Sequence, residues 1–219
     1  MKNRMKRIAF LAAILGLAVI AASCSANKDG AKFKQEYEVL NGQTTPDGAH
    51  IYKQVEIPVK NPFEYVDGET AKTLITSKTG VLYMGFPECP WCRTLLPALI
   101  AAYNDSGYKG RIYYYNALDD RDSLSLSDTG EIVTDKPGAQ VYHDLVKILY
   151  NYLGPYKGLN DPTIKRIYLP TTVFFKNGAV TAVHLTTIDS QKDGYDVLTD
   201  EQFNELKNKL VDEIKTVTG

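Results

Sequence analysis

Two cysteines stand two residues apart in Phe86-Pro87-Glu88-Cys89-Pro90-Trp91-Cys92-Arg93, where an apolar run, Val81-Leu82-Tyr83-Met84, gives way to a helical pattern. A dithiol at a strand-to-helix junction is a strong constraint on the rest of the chain. A cysteine at a helix N-cap holds its sulfur close to unpaired backbone N–H groups and to the positive end of the helix dipole, and both favour thiolate over thiol. Cys89 is therefore read as a nucleophile. Cys92 falls one turn inside the helix, close enough to displace a mixed disulfide yet more shielded from solvent, which makes it the resolving thiol.

Two other readings of this spacing compete. A zinc site requires two further ligands at similar spacing, but the only other cysteine is Cys24, and His50, His143 and His184 are scattered singly. No metal ligands are assigned. A purely structural disulfide would close a very small loop, where the entropic gain from cross-linking is least. A redox-active pair fits better than either.

The surrounding residues resemble thioredoxins. Pro97, five residues after Cys92, matches the proline that kinks the active-site helix of that family. The segment Leu169-Pro170-Thr171-Thr172-Val173-Phe174-Phe175-Lys176-Asn177-Gly178 resembles the family's cis-proline strand and its Lys-Asn-Gly turn. The resemblance covers about residues 60–219. It implies an α/β thioredoxin fold, a central mixed sheet flanked by helices, with a loop-helix insertion before the cis-proline strand. It also implies that Pro170 lies in cis beside Cys89, and that Leu169 and Pro170 orient the substrate backbone while Pro90 and Trp91 offer apolar surface near the sulfur. Glu88 and Arg93 are the charged neighbours expected to tune the thiol, Glu88 by raising its pKa. Departures from the family lie at Glu88, where it usually has Trp, at Pro90-Trp91 in place of Gly-Pro, and at Tyr83 in place of a buried Asp. His184-Leu185-Thr186-Thr187 stands where the family has a glycine that admits substrate.

The chain starts with a basic segment holding Lys2, Arg4, Lys6 and Arg7, followed by an apolar run from Ile8 to Ala22 that ends at Ala21-Ala22-Ser23-Cys24. This pattern predicts a lipoprotein signal peptide over 1–23 and acylation of Cys24. The run is shorter than the roughly 20 residues needed to span a bilayer core, which argues against a retained transmembrane helix. The expected location is the extracytoplasmic face of a bacterial cell membrane, where thiols are not held reduced by glutathione. Loss of residues 1–23 removes four of 25 basic residues and none of 26 acids, leaving a formal net charge of −5. Nucleic acid is thus not an expected partner.

Residues 24–60 read as a polar tether, with possible short strands at 37–40 and 52–57. The domain proper spans 61–219. It contains a strand at 63–66, a helix at 68–78, the strand feeding the dithiol helix, and a strand at 111–115, an order that argues a parallel unit. Residues 118–138 are rich in Asp, Ser and Thr and read as loop, followed by a helix over 139–153 and a loop at 154–162 near the active site. A strand at 179–187, with His184 structural, and a final helix opening on a Thr199-Asp200-Glu201-Gln202 capping box complete the chain.

The function expected is that of a membrane-tethered thiol–disulfide oxidoreductase, resembling the thioredoxin-like lipoproteins and bacteriocin-transport accessory proteins of Gram-positive bacteria. Its partners would be thiols and disulfides of secreted or surface proteins, the membrane through Cys24, and a redox partner protein. No cofactor beyond the Cys89–Cys92 pair is required. The rival reading is a non-catalytic binding module that holds a secreted peptide in the groove near Pro170, since a fold never proves a function.

Overall fold

The computed structural model describes residues 28–218, so the signal segment and Cys24 lie outside the described residues. A mixed five-stranded sheet forms the centre, in the order β1 (Phe63–Tyr65), β3 (Ile112–Tyr115), β2 (Gly80–Met84), β6 (Thr171–Lys176), β7 (Ala179–Leu185). The first three run parallel, and β6 and β7 are antiparallel to their neighbours. Val81, Leu82, Tyr83 and Met84 are all fully buried. This is what an uninterrupted apolar run becomes in a strand covered on both faces.

Helices α2 (Gly68–Ser77) and α4 (Gln140–Leu149) pack together, as do α3 (Pro90–Ser106) and α5 (Asp200–Thr218). Each has a sequence reason for where it starts or stops. Asp67 caps α2 by accepting from the Thr70 N–H at 2.7 Å. In front of α5 the capping box is reciprocal: Gln202 N donates to Thr199 Oγ1 at 3.2 Å, and Thr199 N donates to Gln202 Oε1 at 3.0 Å. Pro97 lies inside α3, which ends at Gly107 with φ +75°. Only glycine takes that conformation without strain.

The N-terminal part of the described chain departs from the tether expected over 24–60. Residues 28–38 form a helix, α1, whose Phe33 and Tyr37 are fully buried, with Phe33 stacked on Phe63 at 3.9 Å between ring centroids. Two aromatics one turn apart suffice to dock a single helical face. Most of the other positions are polar and exposed or half-buried, with Lys32–Glu36 and Lys34–Glu38 pairs along them. That polarity is why the segment resembles a tether in sequence. No strand forms at 37–40. Residues 52–57 run extended but outside any ladder, with Val55 N bonded to Asn41 Oδ1 and Ile57 N to Glu38 Oε1.

The inserted segment also differs from the loop expected over 118–138. It makes a separate hairpin of β4 (Ser123–Leu126) and β5 (Ile132–Lys136), with Gly130 at φ +82° in the turn. β4 is half-buried and β5 exposed throughout, so although Ser123 to Leu126 alternates polar and apolar residues, the hairpin has no buried face to mark it as a core element. Helix α4 stops at Leu149 and tightens into a 3-10 turn at Tyr150–Tyr152.

Candidate functional site

The site is built where β2 ends. The chain turns through Phe86 to Glu88 and enters α3 with Cys89 as its N-cap, in extended conformation at φ −71° and ψ 117°. That geometry points the sulfur back over the first turn, where it accepts the Cys92 N–H at 3.2 Å. Pro90 occupies the first helical turn, where the N–H it lacks has no intrahelical partner to lose. On its other side, Cys89 Sγ donates to the Leu169 carbonyl at 3.5 Å. The Leu169–Pro170 peptide is cis and leads directly into β6. The dithiol and the proline segment, 80 residues apart in sequence, thus meet at one point.

Both cysteines are free thiols, and the structure treats them in opposite ways. The Cys92 side chain hydrogen-bonds Cys89 and holds its pKa below the ordinary thiol value. The backbone N–H groups of Cys92 and Trp91 and the charge of Arg121 add to this, against burial, which pushes it up. Cys92 is fully buried. Its thiol is pushed well above the ordinary value by that burial, and further by its hydrogen bond to Cys89 and by the Cys89 charge. Cys89 itself is only 4% exposed, so it is less open than a bare helix start implies.

The charged neighbours play parts the sequence did not indicate. Glu88 is exposed, and the charges that bear on Cys89 include those of Arg121 and Lys53. Arg93 is 1% exposed. Its guanidinium clamps three segments together, donating to Lys53 O at 2.7 Å, Tyr37 O at 2.9 Å, Pro87 O at 3.1 Å and Asn41 Oδ1. It therefore braces the turn just before Cys89. Trp91 is partly buried against the loop after β7, where a Cβ on Gly194 would meet its Nε1 at 2.8 Å.

Tyr83 supplies a phenol beneath the resolving sulfur, hydrogen-bonded to Cys92 and 3.1 Å from the Tyr37 hydroxyl. Burial pushes both phenols well above their ordinary pKa, so they stay neutral and serve as hydrogen-bond donors. Gly85 is required here, because a Cβ would collide with the Tyr83 hydroxyl and come within 3.1 Å of Cys92 Sγ. Opposite Pro170, Thr186 adopts φ +60° while its N–H donates to the Pro170 carbonyl at 3.0 Å. A β-branched residue is strained in that region. A groove of about 520 Å³ runs past Trp91, Leu169 and Thr186.

His184 is buried between Glu213 Oε2 at 2.9 Å and the Thr187 carbonyl at 3.1 Å, tying β7 to α5 away from the sulfurs. Among the described residues no three His, Cys, Asp or Glu side chains gather as metal ligands would. Arg121 and Tyr83 are the site residues least visible in sequence. Arg121 stands in an acidic stretch, Asp119 to Asp122, that reads as a solvated charge run, and Tyr83, though it stands where thioredoxins have a buried Asp, gives no sign in sequence that its hydroxyl meets Cys92. A scan against protein-family models finds no match to this chain, and a search of curated proteins finds none either.

Proposed function

We propose that this chain is a thiol–disulfide oxidoreductase of thioredoxin-like fold, held outside the cytoplasm by a lipid on Cys24 and acting on disulfides and thiols of secreted or surface proteins. The observation that carries the reading is the opposite treatment of the two sulfurs, one favoured as thiolate by the hydrogen-bond donors at the start of α3, the other buried as thiol one turn away. The sheet order, with its antiparallel β6 starting beside the dithiol, supports the thioredoxin-like assignment.

The chemistry follows from that asymmetry. The Cys89 thiolate attacks one sulfur of a substrate disulfide; a Cys89–substrate S–S bond forms as the substrate's own breaks, and the departing thiolate takes a proton. The negative charge on Cys89 is then gone. That charge is one of the influences holding the Cys92 proton in place, so its loss, with the Tyr83 phenol donating to the sulfur, eases deprotonation of Cys92. Cys92 then attacks the Cys89 sulfur, the substrate leaves as a second thiol, and two electrons have passed from the dithiol to the substrate. A redox partner protein returns the Cys89–Cys92 disulfide to the dithiol, or the sequence runs in reverse.

Thiol titration tests this reading. The oxidised protein should gain two thiols per molecule on treatment with dithiothreitol, from Cys89 and Cys92, and lose them again on mixing with a disulfide-bonded peptide. A dithiol that stays reduced in the presence of excess peptide disulfide would favour the binding-module reading.

A further inference from the structure

Beside the dithiol the groove carries positive charge that the protein itself does not neutralise. Its walls include Trp91 and Leu169 near the sulfur, then Lys157, Arg166 and Lys192, with Asp189 as the one acidic side chain among the described residues that line it. Arg166 lies flat over Tyr156, 4.3 Å from the ring centroid, and its Nη2 donates to the Asp122 carbonyl at 3.2 Å. Its Nε is buried with no hydrogen-bond partner among the described residues. That nitrogen is closed to solvent, so a ligand in the groove meets the outer guanidinium nitrogens instead.

Arg121 stands close enough for its charge to act on both Arg166 and Cys89. Neither arginine forms an ion pair with a carboxylate among the described residues. Asp122, although adjacent, offers Arg166 only its backbone carbonyl, and one of its own carboxylate oxygens is buried without a partner. Arg166 lines the groove with Lys157 and Lys192 and has no carboxylate partner among the described residues, while Arg121 adds its charge nearby, which makes this an anion-binding wall.

We infer that the groove selects substrate segments in which an Asp or Glu lies next to the half-cystine, the carboxylate accepting from Arg166 while the sulfur reaches Cys89. This inference rests on the oxidoreductase reading and names its substrate class. The peptide backbone would lie along Leu169, and the acidic side chain would turn toward Arg166 and Lys157.

The experiment uses the reduced protein and three peptide–pyridyl disulfides that differ only in the residues flanking cysteine, being Asp, Asn or Lys, with attack followed by release of thiopyridone. The second-order rate should fall in the order Asp, Asn, Lys, with Asp about tenfold faster than Asn at low salt, as expected of a charge-assisted hydrogen bond. The preference should shrink at high salt as the exposed part of the wall is screened. Arg166→Gln should compress the Asp-to-Asn ratio toward one, and Arg166→Glu should turn the preference toward Lys. The wild-type series and its salt dependence stand without the variants, so a poorly folded variant does not decide the result. Equal attack on all three peptides by the wild-type protein would overturn the inference and leave the oxidoreductase reading intact; no attack on any of them would overturn both.

Discussion

Replacing Arg93 with Met keeps a long apolar stem and removes the guanidinium that joins α1, the 41–57 segment and the turn before Cys89. The carbonyls of Lys53, Tyr37 and Pro87 lose the Arg93 donor, and the amide oxygen of Asn41 loses one of two, keeping the Val55 N–H. Leaving a buried acceptor unsatisfied costs about 1–3 kcal/mol. Two effects reduce the sum: the N-terminal segment can loosen and rehydrate its carbonyls, and a buried cation is no longer desolvated. The net loss expected is about 3 kcal/mol, a large share of the roughly 5–15 kcal/mol that holds a domain folded. In urea, with a slope of about 2 kcal/mol/M, the midpoint should fall by about 1.5 M. Arg93→Lys, which keeps the charge but not the planar fork, should fall between the two. Limited proteolysis of Arg93→Met should cut first within 39–57, ahead of global unfolding. A loss below about 0.5 kcal/mol, the range of ordinary surface substitutions, would refute the clamp and with it the argument that Arg93 docks the N-terminal segment.

The pH dependence of alkylation should separate the sulfurs: Cys89 should react at pH values below those needed for a free cysteine, because its thiolate is favoured, and Cys92 should stay unmodified there. Cys92→Ala deletes the donor that contributes most to Cys89's low pKa, whereas Cys92→Ser keeps an O–H. The midpoint for Cys89 should therefore be higher in the Ala variant than in the Ser variant, and the reverse order would sink that account. Thr186→Gly should relieve the positive φ of an exposed residue and raise stability by up to about 1 kcal/mol in thermal or urea melts, and a clear loss would show that Thr186 is not strained.

Much of the site was legible in the sequence because local chemistry dictates it. Cys89 as an N-cap and Pro90 in the first turn are determined by the first turn of α3 and need no tertiary information. The central strand was equally readable from the apolar run Val81 to Met84, and the strand at Thr171 to Phe175 from its resemblance to the thioredoxin proline segment. What the sequence concealed depends on long-range partners. Phe33 and Tyr37 mark α1 as a docked helix only once Phe63 is known to lie against Phe33, and Tyr83 and Tyr114 against Tyr37. Arg93 changes from a thiol-tuning charge to a clamp because its acceptors come from segments up to 56 residues away. Arg121 reaches the site only through the turn that follows β3, a placement its acidic sequence neighbours give no hint of.

Mixed-disulfide trapping tests the central claim, that Cys89 attacks and Cys92 resolves, most directly. With the resolving thiol removed, a substrate caught on Cys89 cannot be expelled. Cells producing Cys92→Ser should accumulate protein adducts that run as discrete bands on non-reducing gels and vanish with reductant, while Cys89→Ser should give few or none. Equal trapping by both variants would contradict the assignment of the sulfurs, and absence of adducts from both would contradict disulfide exchange as the function.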